Sequence, residues 1–268
     1  MALIHHIAVG HGRPPIVFVH GFACAHTDWD AQIAYLAPYH RTIAVDLRGH
    51  GASPGNPDEC SIERYGADVV EVMHRLDLTG AVLVGHSMGC RVVIEAALQA
   101  PHRAAGLILI DGSQFALAMQ TTLRATFDTP DGYSSLIAQW FREMFTPRSN
   151  AEVVAQTLRR AGALPRPIGK KLLLDLVRYD SVRLATSLAS LSLPVMAIQS
   201  TYSNEQRERR SMTRGQTTSY LDMLRIKVPA VRVEIVPDTG HFPQIDNATQ
   251  VNELLYVFVC SLGTAART

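Results

Sequence analysis

Six short apolar runs, separated by stretches of helical periodicity, constrain the fold of this 268-residue chain more than any other feature. The runs are nearly continuous in valine, isoleucine, leucine and alanine, as strands that are covered on both faces must be. They occupy residues 16–20, 42–46, 81–85, 106–111, 195–199 and 231–236. Because helical patterns such as that of residues 62–76 lie between them, the sequence predicts an α/β fold with a doubly wound, mostly parallel sheet.

One interval interrupts this alternation. Residues 113–192 contain no strand-like run, and their prolines divide them into four or five predicted helices. We therefore predict an α/β core of residues 1–112 and 193–268, with residues 113–192 inserted as a helical lid over the carboxyl edge of the sheet, where ligands bind in such folds. Large apolar side chains of the lid are candidates to line a pocket, although packing against the core is the simpler interpretation of each: Met119, Trp140, Phe141, Met144 and Phe145.

The segment Gly85-His86-Ser87-Met88-Gly89 lies between the third run and a predicted helix that ends before Pro101. A GxSxG sequence in this position is typical of the sharp strand-to-helix turn that exposes a nucleophilic serine. Only small residues fit beside such a serine, because the turn is tight and its backbone is strained. The motif alone is a modest signal, but its position between a strand and a helix makes Ser87 a candidate nucleophile.

Composition limits the partners and the cellular location. A net charge of +1 gives no indication of binding to nucleic acid or to an acidic membrane surface. We expect a small substrate with little or no charge, no membrane span, no secretory leader and a cytoplasmic location. The four cysteines have no CxxC or Cys/His spacing, which argues against zinc and against a disulfide framework, so no metal and no cofactor are expected.

Four motifs together resemble the α/β-hydrolase superfamily across nearly the whole chain. They are His20-Gly21-Phe22, Asp46-Leu47-Arg48-Gly49-His50-Gly51, Gly85-His86-Ser87-Met88-Gly89 and Gly240-His241-Phe242. The resemblance implies that Ser87 is the nucleophile and His241 its general base, in the chain order of serine, acid and histidine. It also implies an oxyanion hole formed by the backbone N–H groups of Phe22 and Met88.

The other histidines are interpreted as surface, loop or turn residues. His20, His50 and His86 are expected to bond the backbone, and His5 and His26 are among those expected at the surface or in loops. The Asp46 and Arg48 side chains are expected to shape a turn. Cys24, near Phe22, is interpreted as a packing residue, and Asp246 as a helix N-cap.

The acid of the site is the point at which this sequence departs from the usual family pattern. Most members place an aspartate soon after the strand that corresponds to Val195–Gln199, but here no carboxylate follows until Glu205. Asp111, at the end of the preceding run, resembles the acid of a smaller esterase subgroup and of haloalkane dehalogenases. We favour Asp111 over Glu205 because the orienting acid should be buried, whereas Glu205 lies in a charged, solvated stretch. Asp238 is the third candidate.

A second departure is the amino-terminal end of the sheet, where only one strand, around residues 4–9, fits before residue 16. The favoured function is a cofactor-free serine hydrolase that cleaves a small carboxylic ester through an acyl-enzyme. Lactonase, carbon–carbon bond hydrolase, perhydrolase and ligand-receptor functions stay open, as does the oligomeric state. Epoxide hydrolases and dehalogenases of this fold need an aspartate at the position of Ser87.

Overall fold

The structure is a computed structural model that describes residues 4–204 and 208–265. Its main sheet has seven strands, and a separate two-stranded hairpin follows the sixth strand of the chain. The strands are β1 (His6–Val9), β2 (Ile16–Val19), β3 (Thr42–Val45), β4 (Ala81–His86), β5 (Ala104–Ile110), β6 (Val195–Gln199), β7 (Thr201–Ser203), β8 (Arg209–Ser211) and β9 (Arg232–Ile235). Each of the six predicted runs forms a strand of the main sheet, and β1 occupies the space predicted for one leading strand.

The main sheet has the strand order β1-β3-β2-β4-β5-β6-β9. Strand β1 pairs with β3 in antiparallel register, and all other pairs are parallel. The order runs outward in both directions from the centre, which confirms the predicted doubly wound sheet. Strands β4 and β5 are neighbours, so the residues that follow them meet at the same carboxyl edge.

The strands of the sheet centre are apolar throughout because each face packs against helices. Ile16 and Phe18 belong to the apolar cluster on one face, whereas Val17 and Val19 belong to the cluster on the other. The helices outside residues 113–192 are α1 (Asp30–Leu36), α2 (Ile62–Arg75), α3 (Met88–Gln99), α9 (Ser219–Lys227), α10 (Pro243–Asp246) and α11 (Ala248–Ala265). Helices α1 and α11 cover the first face, and α2 and α3 cover the second. Short 3-10 turns span His26–Trp29, Pro57–Glu59 and Pro101–Arg103.

Five helices lie between β5 and β6, in residues 113–192, which we call the helical insertion. They are α4 (Met119–Phe127), α5 (Gly132–Glu143), α6 (Ala151–Ala163), α7 (Arg166–Val182) and α8 (Leu184–Ala189). Polar caps set some of the boundaries, since the Asn150 side chain accepts hydrogen bonds from the first turn of α6. None of the helices in the described residues is long and apolar enough to cross a membrane.

The expected role of Asp246 as a helix N-cap is wrong. Asp246 ends α10, and its carboxylate accepts a hydrogen bond from the Gly240 N–H at 2.8 Å. The cap of α11 is Asn247, whose side-chain oxygen accepts from the Gln250 N–H at 3.3 Å. Asp246 therefore stabilises the turn that carries His241.

Candidate active site

Ser87 lies at the junction of β4 and α3 with a φ of 53° and a ψ of −113°. A left-handed backbone at a residue other than glycine costs on the order of 1–3 kcal/mol, so its surroundings must impose it. The Ser87 N–H donates to the Ile110 carbonyl at 2.9 Å. A Cβ atom at Gly85 would collide with the Gly89 carbonyl, and one at Gly89 would collide with the Val19 carbonyl. The glycines of the motif are thus required by close backbone approach.

His241 lies in the loop after β9, where its imidazole is almost completely buried. Its Nε2 atom is 2.8 Å from the Ser87 Oγ atom. Two backbone contacts fix the position of the loop: the His241 N–H donates to the Met144 carbonyl at 2.7 Å, and the His86 Nε2–H group donates to the His241 carbonyl at 2.7 Å. The helical insertion therefore helps to place this histidine through Met144.

Asp111 directly follows β5, and its side chain has no exposed surface. Its Oδ2 atom is 2.6 Å from His241 Nδ1 and also accepts from the Thr201 hydroxyl at 2.6 Å. Its Oδ1 atom accepts from the N–H groups of Ser200 and Thr201, both at 2.8 Å. Burial alone would raise the pKa of Asp111, but the hydrogen bond from His241 and the charges of His241 and Arg209 outweigh burial and lower this pKa to about 2. The carboxylate is therefore ionised and fixed in orientation.

The three candidate acids have different surroundings. Asp111 contacts His241 directly, whereas Asp238 is 76% exposed and lies 3.8 Å from Arg148 on the surface. Glu205 lies outside the described residues. Among the candidates that the structure describes, the geometry of an orienting acid is found at Asp111.

The two predicted oxyanion donors lie on either side of Ser87. Met88 is the first residue of α3, where an N–H group has no carbonyl partner within the helix. Phe22 follows β2, in a turn that approaches Ser87 closely: a Cβ atom at Gly21 would lie 3.2 Å from the Ser87 Cβ atom. Both backbone N–H groups therefore belong to segments that border the serine.

Arg209 is a charged residue of the site that the sequence analysis did not identify. Its Nη1 atom donates to the Thr201 hydroxyl at 2.8 Å and lies 3.8 Å from Asp111 Oδ2. The same atom is 3.2 Å from His241 Nδ1. Because the Nδ1–H group donates to Asp111, Nδ1 has no lone pair to accept from Arg209, and the contact is electrostatic. No motif indicates this residue, which reaches the site only because β8 pairs with β7.

Burial lowers the pKa of His241 from its usual value, and the positive charge of Arg209 lowers it further, against the opposing effect of Asp111. The imidazole is therefore neutral near pH 7 and can accept a proton at Nε2. His86, behind the site, is held neutral more strongly, because burial and the neighbouring His241 lower its pKa to about 3.

Arg91 is a second charged residue that the motifs do not reveal. It is fully buried in α3 and donates two hydrogen bonds to Asp180 of α7, each 2.7 Å long. Its Nη1 atom also donates to the Ser87 carbonyl at 3.1 Å. The pair joins the helix of the nucleophile candidate to the helical insertion.

The apolar side chains predicted for the insertion mainly pack against aromatic neighbours. Phe141 is buried 6.5 Å from the Phe22 ring, Trp140 stacks on Phe115, and Phe145 stacks on Phe242. Met119 and Met144 are partly buried against the same apolar cluster. These contacts agree with packing as the simpler interpretation.

A cavity of about 410 Å³ lies between the insertion and the core. Its walls include Ala23 and Cys24, the loop of residues 49–55, and the end of α6 with the start of α7. Burial raises the pKa of the Cys24 thiol well above its usual value, so Cys24 acts as an apolar wall. The cavity begins one residue beyond Phe22.

Comparison with known proteins agrees with this architecture. The model of the alpha/beta hydrolase family matches residues 16–254. The acetyltransferase component of the acetoin cleaving system of Pseudomonas putida is 26% identical over 93% of this chain and 64% of its own length. A non-heme chloroperoxidase of Streptomyces lividans is 34% identical over 48% of this chain and 45% of its own. The chain thus spans less than two thirds of either relative.

Among solved structures, a thermophilic esterase from Thermogutta terrifontis superposes with a TM-score of 0.80, covering 97% of this chain and 93% of the esterase. The two sequences are 23% identical, so the likeness concerns the fold. The region matched by the family model, residues 16–254, includes Ser87, Asp111 and His241, which the fold brings together from three separate loops.

Proposed function

The chain belongs to the alpha/beta hydrolase family, and from this we propose that it is a serine hydrolase that cleaves small carboxylic esters through an acyl-enzyme. The observation that supports this most directly is the continuous line of contacts from Ser87 Oγ to His241 Nε2 at 2.8 Å and from His241 Nδ1 to Asp111 Oδ2 at 2.6 Å. A serine hydroxyl becomes an effective nucleophile when a neighbouring base removes its proton.

In the proposed first step, Ser87 Oγ attacks the ester carbonyl carbon while its proton moves to His241 Nε2. The oxygen of the carbonyl becomes negative and is stabilised by the N–H groups of Phe22 and Met88, each contributing on the order of 3 kcal/mol. His241 then donates its proton to the leaving alcohol. Water repeats the sequence on the acyl-enzyme, with His241 again as the base.

Asp111 keeps the imidazole in one tautomer and stabilises the imidazolium that forms in each step. Four hydrogen bonds hold this carboxylate, so it stays ionised throughout the cycle. Arg209 has the opposite electrostatic effect on His241, because a cation 3.2 Å from His241 Nδ1 disfavours the imidazolium. Arg209 is thus proposed as a positioning residue that keeps His241 unprotonated at lower pH.

We assign the helical insertion the role of a lid that covers the site. The cavity that begins beside Phe22 is the proposed place for the apolar part of the substrate, since alanine, leucine, isoleucine and proline side chains form much of its wall. Its chemistry favours an uncharged acyl or alkyl group of moderate size.

The decisive experiment compares wild-type protein and Ser87→Ala in the hydrolysis of p-nitrophenyl esters. We expect the variant to lose activity on the order of a million-fold, by analogy with other serine triads. A fluorophosphonate probe should label the wild type and leave the variant unlabelled. Undiminished turnover by Ser87→Ala would refute the role of Ser87.

A panel of esters and lactones with acyl groups of increasing length then identifies the substrate class. Preferential cleavage of lactones would replace the ester assignment by a lactonase, with the same three side chains in the same roles. Labelling by the fluorophosphonate without sustained turnover of any ester would instead indicate a ligand receptor that retains the site.

A further inference from the structure

Three polar side chains outside the candidate active site converge from separate segments of the chain. His5 lies directly before β1, His26 begins the 3-10 turn His26–Trp29, and Asp46 directly follows β3. One possible ligand atom from each of the three lies within 4.8 Å of the other two. Cysteine and histidine spacing could not reveal this group, because its members are separated by 20 to 41 positions in the sequence.

The distances within this group are close to those of a metal site. His5 Nδ1 is 3.0 Å from Asp46 Oδ2, and His26 Nδ1 is 2.9 Å from Asp46 Oδ1. Ligand atoms that share a tetrahedral ion at about 2.1 Å lie roughly 3.4 Å from one another. Each of the two nitrogen–oxygen distances would have to lengthen by about 0.4–0.5 Å to admit an ion between the nitrogens and the carboxylate.

Backbone contacts hold the carboxylate in place. The Asp46 side chain has no exposed surface, and it accepts hydrogen bonds from the His26 N–H at 2.8 Å and the Ala52 N–H at 3.0 Å. Hydrogen bonds from neighbouring groups orient a metal ligand and increase the affinity of the site for the metal. The segment of His5 is fixed as well, since its N–H donates to the Ser53 hydroxyl at 2.8 Å.

The imidazoles form the open side of the group. The side chains of His5 and His26 are 37% and 21% exposed. Solvent can therefore deliver an ion and supply a water ligand, while the buried carboxylate provides negative charge. Two imidazole nitrogens and one carboxylate suit zinc and related transition metals, whereas magnesium and calcium prefer oxygen ligands alone.

We propose that His5, His26 and Asp46 bind one Zn²⁺ ion through His5 Nδ1, His26 Nδ1 and the Asp46 carboxylate, with water as a fourth ligand. Each imidazole would then carry its proton on Nε2, which faces away from the ion. The site joins the amino-terminal segment to the loops after β2 and β3. It is separate from the proposed function, since the described hydrogen bonds of its three side chains join them to one another and to the N–H groups of His26 and Ala52.

The test uses untagged protein treated with a chelator and then titrated calorimetrically with ZnCl₂ or MgCl₂. We expect one Zn²⁺ per chain, a rise of about 5 °C or more in the melting temperature at a hundredfold excess over the dissociation constant, and no binding of Mg²⁺. His5→Gln and His26→Gln should each weaken zinc binding at least about tenfold.

The matched control is His6→Gln. His6 is adjacent to His5, but its Nδ1 atom lies 3.1 Å from the Ile4 carbonyl and takes no part in the group. This variant should bind zinc like the wild type. Equal zinc affinity in all three variants would overturn the proposal, as would the absence of zinc binding by the wild type at about a hundredfold molar excess of ZnCl₂.

A second measurement covers the case in which a histidine variant does not fold, as judged by circular dichroism. The wild-type protein is then loaded with Co²⁺ and its absorption spectrum recorded. Visible bands of tetrahedral cobalt without a thiolate charge-transfer band support nitrogen and oxygen ligands. A thiolate band would assign the metal to a cysteine and refute the site at Asp46.

Discussion

Replacing Arg209 with methionine removes one positive charge beside His241 while it keeps a side chain of similar length. Methionine leaves the imidazole covered, so the change in pKa comes mainly from the lost charge. A nearby cation destabilises the imidazolium, and its removal must raise the pKa of His241. As the proposed general base, His241 can accept a proton only when it is unprotonated, so the acid limb of kcat/KM should move to higher pH.

The size of the shift follows from the distance between the two groups. The Arg209 Nη1 and His241 Nδ1 atoms are 3.2 Å apart. Both charges are delocalised, so their centres are separated by roughly 4.5 Å. The Arg209 side chain is 25% exposed, and between an effective dielectric constant of about 20, the value near a protein surface, and about 80, the value of water, the repulsion is roughly 1–4 kcal/mol. Since one pKa unit corresponds to about 1.4 kcal/mol, the acid limb should move by roughly 1–3 units.

The assay measures kcat/KM for a p-nitrophenyl ester between about pH 4.5 and pH 8, the range in which histidine titrates. Two further variants separate charge from structure. Arg209→Lys keeps the charge and should leave the acid limb near its wild-type position. Arg210→Met removes a charge from the next residue, which is 57% exposed and pairs with Glu208, and should also leave it unchanged. If the limb of Arg209→Met coincided with that of Arg210→Met, the electrostatic role of Arg209 would be refuted.

Three further predictions, which use four substitutions, test separate parts of the protein. Asp111→Asn should lower kcat on the order of 10⁴-fold, because the amide no longer holds the required tautomer of His241. Glu205→Gln should leave kcat nearly unchanged. The opposite result in kinetic assays would assign the role of the acid to Glu205. Arg91→Met should destabilise the protein by about 3–5 kcal/mol in urea unfolding, because it leaves the buried Asp180 carboxylate without its partner. Ala163→Trp should narrow the cavity and therefore lower kcat/KM for long-chain esters more than for acetates. An equal loss of kcat/KM for both ester classes would show that the acyl group binds outside this cavity.

The sheet was predictable because each of its central strands is covered on both faces, which leaves an apolar run in the sequence. One strand boundary differs from the predicted run of residues 106–111, since β5 begins at Ala104, which pairs with Ala81. Strands β7 and β8 were missed. Each has three residues, and their sequences Thr-Tyr-Ser and Arg-Arg-Ser carry no apolar alternation from which a strand could be inferred.

Ser87 could be singled out because the GxSxG turn imposes a backbone requirement, and His241 because the motif Gly240-His241-Phe242 resembles that of the family. The candidate acids could not be separated as clearly from the sequence, since Asp111 is 130 positions away from His241 and its contact with that histidine depends on which strands are neighbours. Arg209 gives no local signal at all. In the sequence it belongs to a charged stretch that resembles a solvated turn, and only the hairpin of β7 with β8 directs it inward.

The position of the proposed acid and the polarity of the loop after β6 depend on each other. Strands β5 and β6 are parallel neighbours, so a carboxylate at the end of either one can reach the same imidazole. With the carboxylate on β5, the loop after β6 must donate hydrogen bonds instead of supplying an acid, and Ser200 and Thr201 do so through their N–H groups. A buried carboxylate without such donors would be protonated more readily and would lose its hold on His241. The donors in the loop after β6, which take the place of the usual aspartate, therefore help to keep Asp111 ionised, and Arg209 of the adjoining hairpin lies 3.8 Å from the same carboxylate.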